Sequence, residues 1–93
     1  MLNLPVKLTH DLARACVEQL KQNLRAEAPQ VVVDAASLEQ FDSSALAVLL
    51  ELRRECARLG KRFAVQSMPQ RLSDLARLYG IEGLLPAASS AGA

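Results

Sequence analysis

Two segments decide the fold: Val31-Val32-Val33-Asp34-Ala35, and then Phe41-Asp42-Ser43-Ser44-Ala45-Leu46-Ala47-Val48-Leu49-Leu50. The first is a continuous run rich in β-branched residues, which reads as a central strand covered on both faces. The second opens a helix predicted to run from Ser44 to Leu59, where Gly60 fits the left-handed position after a helix end. A buried strand ending in a carboxylate, a polar loop and an Asp-Ser-Ser helix start place two hydroxyls at an exposed turn. The positive end of the helix dipole lies beside them.

Outward from this centre the chain alternates. Leu2 to Leu8 reads as a short strand, with Leu2, Leu4 and Val6 alternating against Asn3 and Lys7. Pro5 lacks a backbone donor, so this strand belongs at an edge. Thr9 is a plausible N-cap for a helix to Leu24 or Arg25, whose apolar stripe is Leu12, Ala13, Cys16, Val17, Leu20 and Leu24. Beyond Gly60, Phe63 to Gln66 reads as a strand. Pro69 opens a third helix with a core face of Leu72, Leu75, Ala76 and Tyr79, stopped at Gly80. Ala87 to Ala93 has no periodicity and reads as a flexible tail after a single domain of residues 1–86. Strand, helix, strand, helix, strand, helix is the order of an α/β layer with right-handed crossovers.

Composition removes several function classes. Ninety-three residues make one domain with a modest core, and 51% hydrophobic content with only three aromatics means a core of Leu, Val, Ala and Ile. Eleven basic and ten acidic residues leave a net charge of +1, with no general attraction to nucleic acid or an anionic membrane. No apolar run approaches the length of a membrane span, and the N-terminus lacks the signature of a secretory signal. A soluble, unexported chain that does not insert in a membrane is the reading. Cys16 and Cys56 fall on apolar helix sides and are expected to be buried, reduced thiols.

Catalysis finds little support. His10 is the one histidine and has no ligand-spaced companion, so it reads as a surface residue of a first helical turn. Ser43 and Ser44 lack a visible base. The four glycines, at 60, 80, 83 and 92, form no phosphate loop, and no metal or cofactor is implied.

The Asp42-Ser43-Ser44 turn has two compatible readings. Asp42 or Ser43 caps the second helix, and a phosphate on Ser43 or Ser44 would face the helix dipole and make or break a protein contact. On a helical projection, Ala45, Leu49, Leu52, Cys56 and Leu59 form the sheet-facing stripe, opposite Glu51, Arg54 and Arg58. Ala47, Leu50 and Ala57 fall on or near the polar side, and Leu78 lies off the stripe of the third helix. These strays suggest a partner-facing patch if the two helices are neighbours.

These residues resemble the STAS-domain family, shared by anti-sigma-factor antagonists and the tails of sulfate transporters. The likeness rests on Val31-Val32-Val33-Asp34, on Phe41 before Asp42-Ser43-Ser44, and on Leu46, Val48, Leu49 and Leu50. The ending Ala76-Arg77-Leu78-Tyr79-Gly80-Ile81, then Leu84-Leu85-Pro86, is most similar to the MlaB-like subgroup, as is the opening Leu4-Pro5 with Leu8-Thr9. That resemblance implies a non-enzymatic subunit bound to the cytoplasmic ATPase of a Mla-type phospholipid ABC transporter, supporting its assembly or activity in outer-membrane lipid asymmetry. It implies a cytoplasmic location, peripheral to the inner membrane through the transporter, and a contact through helices two and three that includes Arg54. By motif position Ser43 corresponds to a functionally sensitive Thr of that subgroup. Ser44 corresponds to the serine phosphorylated in anti-sigma-factor antagonists, whose partner is an anti-sigma-factor kinase. Those antagonists usually carry glycine where this chain has Ala45, and the family's first strand is short or absent here.

Overall fold

The computed structural model describes residues 1–87. Three parallel strands form the main sheet in the order β1 (Leu2–Asn3), β3 (Gln30–Asp34) and β5 (Arg62–Gln66), so the Val31–Val33 run is central as expected. A second, two-stranded parallel ladder joins β2 (Lys7–Leu8) to β4 (Gln40–Phe41). Three helices accompany them: α1 (His10–Arg25), α2 (Ser44–Arg58) and α3 (Gln70–Leu78), with one 3-10 turn at Glu82–Leu84.

The predicted strand over Leu2–Leu8 is broken in two. The amide of Leu4 still donates to the carbonyl of Asp34, but Pro5 has no N–H to continue the ladder. The chain bends there, and the carbonyl of Val6 instead accepts the amides of Glu39 and Gln40. Leu2, Leu4 and Leu8 remain buried while Val6 turns out to solvent, which breaks the predicted alternation. One opening segment thereby serves both sheets, as an edge strand in each.

Both crossovers step the same way, from β1 to β3 and from β3 to β5. Right-handed connections therefore put α1 and α2 on one face, packed against each other. Leu2, Val31, Val33 and Val65 point into this face and meet Leu24, Leu49, Leu52 and Cys56 in one core. On the reverse face Val32 and Asp34 are half-exposed, so β3 is not covered on both faces as its β-branched run suggested. Two charge pairs stitch α1 to α2: Lys21 with Glu51 at 3.4 Å and Arg25 with Glu55 at 4.0 Å.

Glycine ends both later helices through the same backbone device. Gly60 has φ +71°, its amide donates to the carbonyl of Ala57, and that of Lys61 donates back to Cys56. Gly80, at φ +73°, repeats the pattern with Arg77 and Ala76. Three residues assigned to apolar stripes are more exposed than their periodicity implied: Leu12, Leu59 and Tyr79. Leu59 and Tyr79 are the cap residues, where the chain is already leaving the packed face. Cys56 is buried, Cys16 only half-buried, and both are free thiols. Of the predicted tail, Ala87 bridges Val65 in parallel, and residues 88–93 lie outside the described residues.

Candidate functional site

The turn between β4 and α2 is held by Asp42. Its Oδ1 accepts the amide of Ser44 at 2.8 Å, and its Oδ2 accepts the amide of His10 at 3.2 Å. One carboxylate thus satisfies an orphan donor at the start of both α1 and α2, which the β2–β4 ladder brings together by pairing Leu8 with Phe41. The Ser44 amide, aided more weakly by that of His10, holds the Asp42 carboxyl below the ordinary aspartate range. Of the two predicted caps, Asp42 is the one used. Ser43 occupies the N-cap position in a helical conformation and its hydroxyl makes no capping bond. Thr9 holds the N-cap position of α1, but its hydroxyl donates to Asp11 and leaves the helix amide to Asp42.

With the cap supplied by Asp42, Ser43 faces outward and Ser44 is half-buried. Ser43, Ala47, Leu50 and Arg54 follow at spacings of four, three and four, so they form one ridge along α2. Ala47 and Arg54 are exposed. Leu50 is half-buried against the core, a correction to its placement with the polar side. Arg54 is tethered to Glu51 at 3.3 Å. Val48, Glu51 and Glu55 face α1 and Ala47 borders the same groove, which leaves Leu50 on the far side of the ridge.

Helix α3 adds a second ridge. The guanidinium of Arg71 stacks over the Phe41 ring at 5.1 Å, a cation–π contact that docks the first turn of α3 beside the Asp42 turn. Arg71, Leu75 and Leu78 share one face at spacings of four and three. Leu78 ends it at 76% exposure, next to Tyr79 at 57%. The Arg71–Phe41 contact was missed from the sequence, which carries no local signal for a pairing between elements so far apart in the chain. Ala57 is also exposed.

The arrangement offers hydroxyls, small apolar surface and a cation, which is binding chemistry. Among the described residues, no three His, Cys, Asp or Glu side chains converge on a metal-sized site. No helix among them is long and apolar enough to cross a membrane.

A family model described as the MlaB STAS domain matches residues 1–86. The chain belongs to that family. It is similar in fold to a crystal structure from Thermotoga maritima of a protein assigned as an anti-sigma factor antagonist. The TM-score is 0.75 at 16% identity, over 90% of this chain and 74% of that one. Curated protein sequences yield no match. The α/β fold with parallel strands and three helices is thus the STAS fold, as the sequence suggested.

Proposed function

We propose that this protein is the STAS subunit of a Mla-type phospholipid ABC transporter. It binds the transporter's cytoplasmic ATPase and supports its assembly or activity, without catalysing a reaction itself. The observation that carries this reading is the ridge of Ser43, Ala47, Leu50 and Arg54 on α2, together with the exposed Leu78 on α3, in a chain matched by the MlaB-type family model. Tyr79 and Arg54 are exposed residues of the types that carry binding energy at interfaces, and Leu78 adds exposed apolar surface next to Tyr79. A cytoplasmic location, peripheral to the inner membrane, follows from that partner.

The test is co-purification with the transporter's ATPase. Ser43→Glu adds a charge at the turn and Leu50→Arg adds one on the ridge, and each is expected to reduce the ATPase recovered by about tenfold or more. Undiminished recovery with both variants, folded as judged by circular dichroism, contradicts the surface.

A second reading is an anti-sigma-factor antagonist switched by phosphorylation of Ser44, which the fold of the Thermotoga protein favours. Here the Asp42 carboxylate lies against the Ser44 amide, so a phosphate on Ser44 would meet a like charge. Incubation with an anti-sigma-factor kinase followed by mass spectrometry separates the readings. The transporter reading predicts no phosphoserine at residues 43 or 44, and stoichiometric phosphate at Ser44 favours the switch.

A further inference from the structure

A second surface lies on a different side of α2, toward its C-terminal end, and is independent of the transporter reading. In a parallel layer, α2 starts at the carboxyl ends of the strands and returns to their amino ends, about 22 Å away for a helix of this length. At that lower end a cleft of about 490 Å³ opens between the later turns of α2, the start of β5 and the segment from Gly83 to Ala87. Its charged lining among the described residues is entirely cationic: Arg53, Lys61 and Arg62. Residues 88–93, Ala-Ser-Ser-Ala-Gly-Ala, bring no charged side chain.

The three cations are not equivalent. Lys61 is spent on the fold, because its ammonium donates to the carbonyls of Leu24, Arg25 and Glu27 and so caps the end of α1. Arg53 and Arg62 are exposed and take no carboxylate partner among the described residues, whereas Arg25, Arg54, Arg58 and Arg77 each have one. Two uncompensated arginines therefore flank the cleft.

The backbone there is also open. The amide of Arg62 donates to Pro29 and the carbonyl of Gln66 accepts from Ala35, so the even-numbered residues of β5 bond toward the central strand. The odd-numbered ones then face outward. Val65 uses its outward amide on the carbonyl of Pro86. Phe63 lines the cleft and has no such partner among the described residues, so its amide and carbonyl are left on a free strand edge beside it.

We propose that this cleft binds an extended acidic segment of a partner protein. The segment pairs its backbone with Phe63 and sets carboxylates against Arg53 and Arg62, while its alternate side chains rest on Ala57, Phe63 and Pro86. Charge complementarity selects the acidic partner, and a free amide and carbonyl on one strand edge select an extended chain, whose backbone presents an acceptor and a donor at the matching spacing. Guanidinium forks favour carboxylates held in two-pronged geometry.

The probe is a short fluorescent peptide of alternating Glu and Thr, compared with its Gln–Thr counterpart and with phosphatidylglycerol vesicles. Anisotropy titration is expected to show binding of the acidic peptide that weakens with salt and drops about tenfold in the double variant Arg53→Glu, Arg62→Glu. The Phe63 amide resonance is expected to shift on binding. Arg53→Gln with Arg62→Gln replaces the charge reversal if circular dichroism finds that it disturbs the fold. Absence of peptide binding, equal affinity for the variants and wild type, or an unmoved Phe63 amide overturns the proposal. So does vesicle binding that depends on the same arginines while peptide binding does not.

Discussion

Asp42 carries more of this protein's organisation than its exposed position suggests. Its two oxygens serve the first amides of two helices that are far apart in sequence, so the residue fixes both the entry to α1 and the turn that presents Ser43. Replacing it with Ala is expected to lower the melting temperature, while Asn, which keeps an acceptor for Ser44, loses less at neutral pH. The pH dependence has a definite sign. The folded carboxyl titrates below its ordinary value, so its stabilising contribution is complete above the unfolded pKa of about 3.9 and is lost as pH falls through the lower folded value. Thermal unfolding followed by circular dichroism is expected to separate wild type from Asp42→Asn at neutral pH and to bring them together as the pH falls through the lowered folded pKa. The sequence allowed Asp42 or Ser43 as the cap. Only the β2–β4 ladder, two residues per strand and without a detectable period, brings His10 within reach and decides between them.

At the scale of the elements, the helices were the readable part. Their stripes, Pro69 at one start and glycines at two ends all act within a few residues, so local chemistry specifies them. Gly60→Ala tests the α2 ending: at φ +71° with nothing within 4 Å of an added Cβ, the cost is conformational alone, about 1–2 kcal/mol in chemical denaturation. The fully buried Leu49 is the contrasting case, since Leu49→Ala leaves a cavity and is expected to cost about 2–5 kcal/mol. Periodicity over-reached where it was carried onto cap residues. Leu59 and Tyr79 fit the wheel, but the left-handed glycine that follows each turns the chain off the packed face, and both stand in solvent. The opening strand misled for a different reason. Leu2, Leu4 and Val6 alternate in the sequence, yet Pro5 forces a change of partner that turns Val6 out to solvent, and alternation cannot register it.

The whole molecule is a one-sided layer whose two ends bear different chemistry. The hydroxyl turn lies at the carboxyl ends of the strands, the ridge of α2 runs down from it, and the arginine-flanked cleft opens toward the amino ends on another side of α2. The first was partly legible, because Ala47, Leu50 and Leu78 stood out against helical stripes. The neighbourhood of α2 and α3 at that turn was not, since it depends on Arg71 stacking over Phe41, thirty positions earlier in the chain. The cleft was invisible in the sequence: Arg53 and Arg62 look like ordinary solvated charges until the fold sets them around a free strand edge. If the chain docks on a transporter ATPase through the ridges of α2 and α3, as proposed, amide hydrogen exchange of the chain, alone and with that ATPase, reads the contact segment by segment. Added protection concentrated in residues 43–54 and 71–79 is expected, and protection confined to other segments, with these unchanged, contradicts the proposed contact.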